Sequence, residues 1–209
     1  MKRTLAGVMA ALAWTGAPVP SAAVPAGLVA ERVAALAFPT GMAFTASGDR
    51  LFVNERGGRV RVIQRGRLLP QPVAEIATTT QAESGLLGLA LHPRFESGEP
   101  WLYVFHTLPG GGRDRVLRLR IQDNRSTERQ IVMDDLPAGG YHHGGILAFA
   151  PDGTLFVSHG EEHDANKAQQ PRVLGGKIYR LNADGSIPGD NPFGTSPTFA
   201  YGIRNPFGL

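Results

Sequence analysis

Gly139 to Glu161, GGYHHGGILAFAPDGTLFVSHGE, is the stretch whose reading decides the fold. A Gly-Gly pair, Tyr141, two histidines and a second Gly-Gly pair run into Ile146, Ala148 and Ala150 alternating with Leu147 and Phe149, the period of a strand entering a sheet. The glycines let backbone pass close to something. Pro151-Asp152-Gly153 then forms a turn, proline presetting φ and glycine accepting φ > 0, and Leu155-Phe156-Val157 returns as the hairpin partner. Strand alternation turns His142 and His143 to opposite sides, so one faces a cavity while the other packs or meets solvent. The returning strand ends at Glu161, on the edge that carries the histidines. A hairpin therefore brings an imidazole and a carboxylate to one rim.

Outward from this stretch the same unit recurs. Met42-Ala43-Phe44, a turn at Ser47-Gly48-Asp49 and Leu51-Phe52-Val53 match Leu147 to Val157. Leu89-Ala90-Leu91 and Trp101 to Val104 form a copy between them. The anchors Phe44, Leu91 and Phe149 are 47 and 58 residues apart. Each copy is followed by a strand of alternating basic and apolar residues: Arg59 to Ile63, Arg115 to Ile121 and Lys177 to Leu181. A fourth piece, Pro72 to Ile76 or Gln130 to Leu136, closes each of the first two. Four strands every ~50 residues is the repeat of a β-propeller blade. The fold class is all-β, with about three blades in a ring that takes at least ~4, so the chain is expected to stop before the ring closes. No helix is expected after residue 23, and Glu162 to Arg172 reads as a long polar loop.

Composition narrows the function classes. Gly 27 and Pro 16 in 209 residues suit short strands and tight turns. Met1 to Ala23 has the order of a secretory signal: Lys2 and Arg3, an apolar run from Leu5 to Trp14, then Ser21-Ala22-Ala23. That run is about half of the ~20 residues a membrane span needs, and no second one follows. Without the two basic residues of this segment the net charge falls from +3 to +1, which gives a nucleic-acid partner no support. The absence of cysteine excludes disulfides, thiolate metal sites and a lipid-anchor cysteine. The expected organisation is a signal over 1–23, a linker over 24–37 and a partial propeller over 38–209, in a periplasmic or secreted protein.

His142 reads either as a general base oriented by Glu161 or as a hydrogen-bonded structural histidine. His143, His159 and His163 with Glu161, Glu162 and Asp164 match no metal spacing and read as a solvated acidic loop. Asp184-Gly185-Ser186 and Gly189-Asp190-Asn191 lack the closing glutamate of an EF-hand and read as turns. Arg204, after the strand-like Phe199-Ala200-Tyr201, could clamp an anionic cofactor. By residue type alone it is a surface arginine.

The motifs YHHGGILAFAPDGTLFV, GGKIYRLNADGSIPGDNPF and YGIRNPFGL, with GMAF, LFVNERGGRVRVI and ESGLLGLALHPRF in the same order, resemble the glucose/sorbosone dehydrogenase family. The resemblance runs from about Phe38 to Leu209. It implies a six-bladed propeller with pyrroloquinoline quinone (PQQ) at its central face, calcium aiding the cofactor, and oxidation of an aldose at C1 to the lactone with electrons passed to an acceptor. It implies that His142 takes the C1 hydroxyl proton, that Glu161 supports it, that Arg204 and Asn205 contact PQQ and that Glu83 sits on the substrate side. Tyr141, Ile146 and Ile203 depart from the glucose-oxidising pattern. The calcium ligands and further cofactor contacts are expected beyond Leu209, and the uncovered blade faces of an open ring invite pairing of two copies. The rival readings are a non-enzymatic binding propeller of the hedgehog-interacting type and a calcium-dependent propeller lactonase.

Overall fold

The computed structural model describes residues 25–209; the expected signal, Met1 to Ala23, and Val24 lie outside the described residues. Residues 25–32 belong to a unit of their own, with one turn closed by the Leu28 N–H and the Pro25 carbonyl. The unit Val33–Leu209 holds three antiparallel sheets.

The first sheet contains β1 (Pro39–Phe44), β2 (Arg50–Glu55) and β3 (Arg59–Gln64), with two short strands, β4 (Arg67–Leu68) and β5 (Ala74–Glu75), both paired to β3. The second contains β6 (Leu86–Leu91), β7 (Trp101–Thr107), β8 (Arg113–Gln122) and β9 (Arg125–Pro137). The third contains β10 (Gly144–Phe149), β11 (Leu155–His159), β12 (Lys177–Leu181) and β13 (Thr198–Tyr201). These are three blades of a propeller, each in chain order from inner to outer strand, as the repeat predicts. Two local expectations fail. Asp164 accepts from the Asn166 and Lys167 N–H groups and caps one helical turn, α1 (Ala165–Ala168), inside the expected loop. The closing piece of the first blade is a strand only at Ala74–Glu75, because its neighbour β4 takes the other end of β3.

Strand alternation divides the core. Every residue of β7 is buried. Leu102 and Val104 pack toward the first blade with Phe52, Val62, Leu117 and Leu119. Trp101, Tyr103 and Phe105 pack toward the third with Leu147, Val157 and Tyr179. The Tyr103 hydroxyl donates to the Ala183 carbonyl at 2.7 Å, tying the second blade to the third. The middle blade is thus covered on both faces. The end blades keep apolar residues in the open, Met42 and Phe44 at one end and Phe199 and Tyr201 at the other.

The motif's second glycine pair passes close to side chains, a Cβ on Gly144 standing 3.1 Å from Pro206 and one on Gly145 2.8 Å from the Phe105 ring, whereas Gly41 and Gly88 pass close to other backbone. The inner strands β1, β6 and β10 lie so near one another that a Cβ on Gly41 would stand 2.6 Å from the Leu87 carbonyl oxygen, and one on Gly88 would overlap the Gly145 carbonyl. Asn54, fully buried, donates to the Gly88 carbonyl at 2.9 Å across the same seam. Gly88→Ala is therefore expected to destabilise the chain by at least the ~1–3 kcal/mol of core overpacking. Gly57→Ala, where the added methyl meets nothing within 4 Å, should stay within about 0.5 kcal/mol. Denaturant midpoints of the two variants check this, and equal midpoints would refute close backbone approach as the reason for Gly88.

Candidate active site

β10 begins only at Gly144, so His142 and His143 precede the ladder and are not separated by the pleat. Their side chains diverge because His142 is in the left-handed region at φ 63°, followed by Gly144 at 65° and Gly145 at 84°, which swings the chain between them. His142 is 6 % exposed, and its Nδ1 lies 2.6 Å from Glu161 Oε1. Glu161 stands beyond the end of β11, brought back by Gly160. The Gly160 N–H donates to the His143 carbonyl at 3.2 Å, and its missing Cβ makes room for the His142 carbonyl. The Glu161 N–H donates to the Arg204 carbonyl at 2.9 Å. With Glu161 Oε1 as the acceptor, Nδ1 is the donor of the imidazole and the lone pair is on Nε2. The His163 ring stacks on His142 with centroids 4.2 Å apart and lies 5.4 Å from that of Tyr141.

Glu83 reaches the same rim from the second blade. Its Oε2 accepts the His142 main-chain N–H at 2.7 Å and the Asn205 amide at 3.3 Å, while Asn205 Oδ1 accepts the Gly144 N–H at 3.2 Å. His142, Glu161, Glu83 and Asn205, distant in sequence, are in one connected network. Arg204 joins it only through its carbonyl; its side chain is exposed and makes no ion pair or hydrogen bond among the described residues. A small cavity of about 130 Å³ opens between Glu83, Gly88, Gly144, Ile146 and Phe207.

The residues considered for a metal separate. His163 is exposed, Asp164 caps α1, and His159 is fully buried with its Nε2 donating to the Pro137 carbonyl at 2.9 Å. Among the described residues no three His, Asp or Glu side chains are grouped to hold an ion. Asp114 is the residue sequence reasoning missed. It accepts from His143 Nδ1 at 2.8 Å with no exposure at all. Its signal was the parity of β8, which puts Asp114 on the buried side with Val116.

A profile of the glucose / sorbosone dehydrogenase family matches residues 36–209. The chain is 32 % identical over 183 residues to the aldose sugar dehydrogenase YliI of Escherichia coli, covering 82 % of this chain and 49 % of that one. It is 30 % identical over 196 residues to quinoprotein glucose dehydrogenase B of Acinetobacter calcoaceticus, covering 78 % and 39 %. The PQQ-bound aldose sugar dehydrogenase of Streptomyces coelicolor superposes with a TM-score of 0.75 at 31 % identity, over 82 % of this chain and 52 % of that one. The chain thus spans half or less of the length of these curated relatives.

Glu162, beside the network at φ 54°, is a carboxylate whose burial pushes its pKa above the ordinary value, although His159 and Lys167 pull it down. Its Oε1 has no hydrogen-bond partner among the described residues, and Lys167 Nζ stands 3.7 Å from Oε2. A carboxyl with a raised folded pKa costs nothing when both states are protonated, and costs most once pH has passed its folded value. Glu162→Gln should therefore stabilise the chain at pH 7, with the gain fading as pH falls toward about 4. Thermal unfolding across that range measures it. A constant or reversed difference would show that the carboxylate is not destabilised by burial.

Proposed function

The chain belongs to the glucose / sorbosone dehydrogenase family, and from that premise we propose that it forms three N-terminal blades of an exported, PQQ-dependent aldose dehydrogenase. The observation that carries this reading is the buried His142–Glu161 pair, 2.6 Å apart, on a rim shared with Asn205 and Arg204. The residues present suit one side of a planar polycarboxylate. The Arg204 guanidinium is exposed with no internal partner, and a planar fork of donors matches a carboxylate. Asn205 lies beside it, accepting from the N–H of Gly144, two residues after the base. When bound, PQQ supplies the acceptor for the hydride that leaves sugar C1.

The chain's own part is proton management and orientation. His142 Nε2 takes the proton of the C1 hydroxyl as the C1–H bond breaks. Glu161 holds Nδ1 and balances the imidazolium so formed. Glu83 fixes the His142 backbone with Oε2, and its Oε1, unbonded among the described residues, is the atom we assign to a substrate hydroxyl. The product is the lactone, and the electrons pass to a separate acceptor. Among the described residues no three His, Asp or Glu side chains are grouped to hold calcium. Export is supported by the charged, apolar and small-residue order of Met1 to Ala23. No helix among the described residues is long and apolar enough to cross a membrane. Among the described residues His142 is bonded to a carboxylate at Nδ1 and has no partner at Nε2, which favours the base over the binding-propeller reading.

In the complete polypeptide, His142→Gln should lower dye-linked aldose oxidation by ~10²- to 10⁴-fold while PQQ still binds, because glutamine cannot take up the proton. Arg204→Ala should instead weaken PQQ binding, followed by cofactor absorbance. Undiminished turnover in His142→Gln would remove the base from this reading.

A further inference from the structure

We propose that Asp114, His143 and Ser84 form a buried positioning array that fixes, from beneath the rim, the backbone carrying Glu83 and His142. The proposal rests on the reading of His142 as the base. His143 Nδ1 meets Asp114 Oδ2 at 2.8 Å, and His143 Nε2 meets Ser84 Oγ at 3.2 Å. This is the order of a nucleophile, base and acid, yet Ser84 is only 2 % exposed and His143 equally so. No acyl substrate reaches such a hydroxyl, and the array acts on the fold around it.

Connectivity says what it acts on. Each member adjoins, in sequence or space, a residue of the rim: Ser84 follows Glu83, and His143 follows His142. The His143 carbonyl holds the Gly160 N–H that precedes Glu161. Asp114 is the point where these segments are tied to β8, in the middle of the second blade. Burial would push its carboxyl up. The hydrogen bond from His143 and the nearby His159, 3.8 Å away, outweigh burial and hold it below the ordinary value, so it is ionised. An ionised Asp114 must receive the Nδ1 proton of His143, and His143 Nε2 then accepts from the Ser84 hydroxyl. His159 is fixed in turn, donating from Nε2 to the Pro137 carbonyl and accepting on Nδ1 from the Tyr179 hydroxyl at 3.3 Å. Asp114 Oδ1 is left with no partner among the described residues.

The experiment is residue-resolved amide exchange on the 209-residue chain, without sugar or cofactor. The His142 N–H, bonded to Glu83 Oε2, and the Gly144 N–H, bonded to Asn205 Oδ1, report the rim. The amides of Phe52 and Ile63, in the β1–β2 and β2–β3 ladders of the first blade, report global opening. Asp114→Asn and His143→Gln should each speed exchange at His142 and Gly144 by ~10- to 100-fold, the range of a lost charge-assisted bond, and leave Phe52 and Ile63 unchanged. Ser84→Ala, a smaller deletion that keeps the fold if the others do not, should give a smaller rise at the same two amides. Unchanged exchange at His142, or equal acceleration in both blades, would overturn the proposal by showing an array that does nothing or only stabilises the whole. Because exchange is read without turnover, a failed dehydrogenase reading would show in the His142→Gln assay and leave these rates to judge the array by themselves.

Discussion

The close approach of three inner strands at Gly41, Gly88 and Gly145 is the constraint from which the rest follows. At Gly41 and Gly88 the neighbouring backbone leaves no room for a side chain, and at Gly145 the Phe105 ring takes that room, so each blade presents a glycine where it meets the next. Beside each glycine the pairing slips: between Pro39 and Gly41, between Leu86 and Leu89, and between Gly144 and Leu147. A bulge at the same place in every inner strand turns the entering segment away from the ladder. Those entering segments carry Glu83 and His142. The rim chemistry is thus a by-product of how blades are brought together.

It also explains why the site crosses a blade boundary. Glu83 precedes β6, His142 precedes β10, and Asn205 follows β13, yet one carboxylate oxygen holds donors from the last two. Had the inner strands stood a side chain further apart, Glu83 could not have reached the His142 N–H. The same seam explains the left-handed φ of His142, which a non-glycine residue adopts only when its surroundings hold it there.

The repeat was legible because a period of two and turns such as Pro151-Asp152-Gly153 are local, and the Gly153 N–H to Ala150 carbonyl bond closes that turn as read. The His142–Glu161 pairing was legible for a similar reason, since one hairpin joins them. Asp114 was not, because its partners come from other strands, and only the parity of β8 hinted at its burial. The left-handed turn at His142 was missed because alternation is a property of strands, and the residues before a bulge are not yet in one. α1 was missed because a single capped turn has too few residues to show a 3.6-residue period.

Two adjacent histidines therefore take different partners for one physical reason. The turn at His142 gives its imidazole to Glu161, at the rim, and gives His143 to Asp114, with no exposure. In each pair a carboxylate fixes Nδ1, so the difference lies at the other nitrogen. Nε2 of His143 is taken by the Ser84 hydroxyl, whereas Nε2 of His142 has no partner among the described residues. A base needs a held proton on one side and an available lone pair on the other, and of the two only His142 has both. Chemically equal side chains one residue apart are thus sorted by what closes their second nitrogen, and the backbone turn between them makes the assignment.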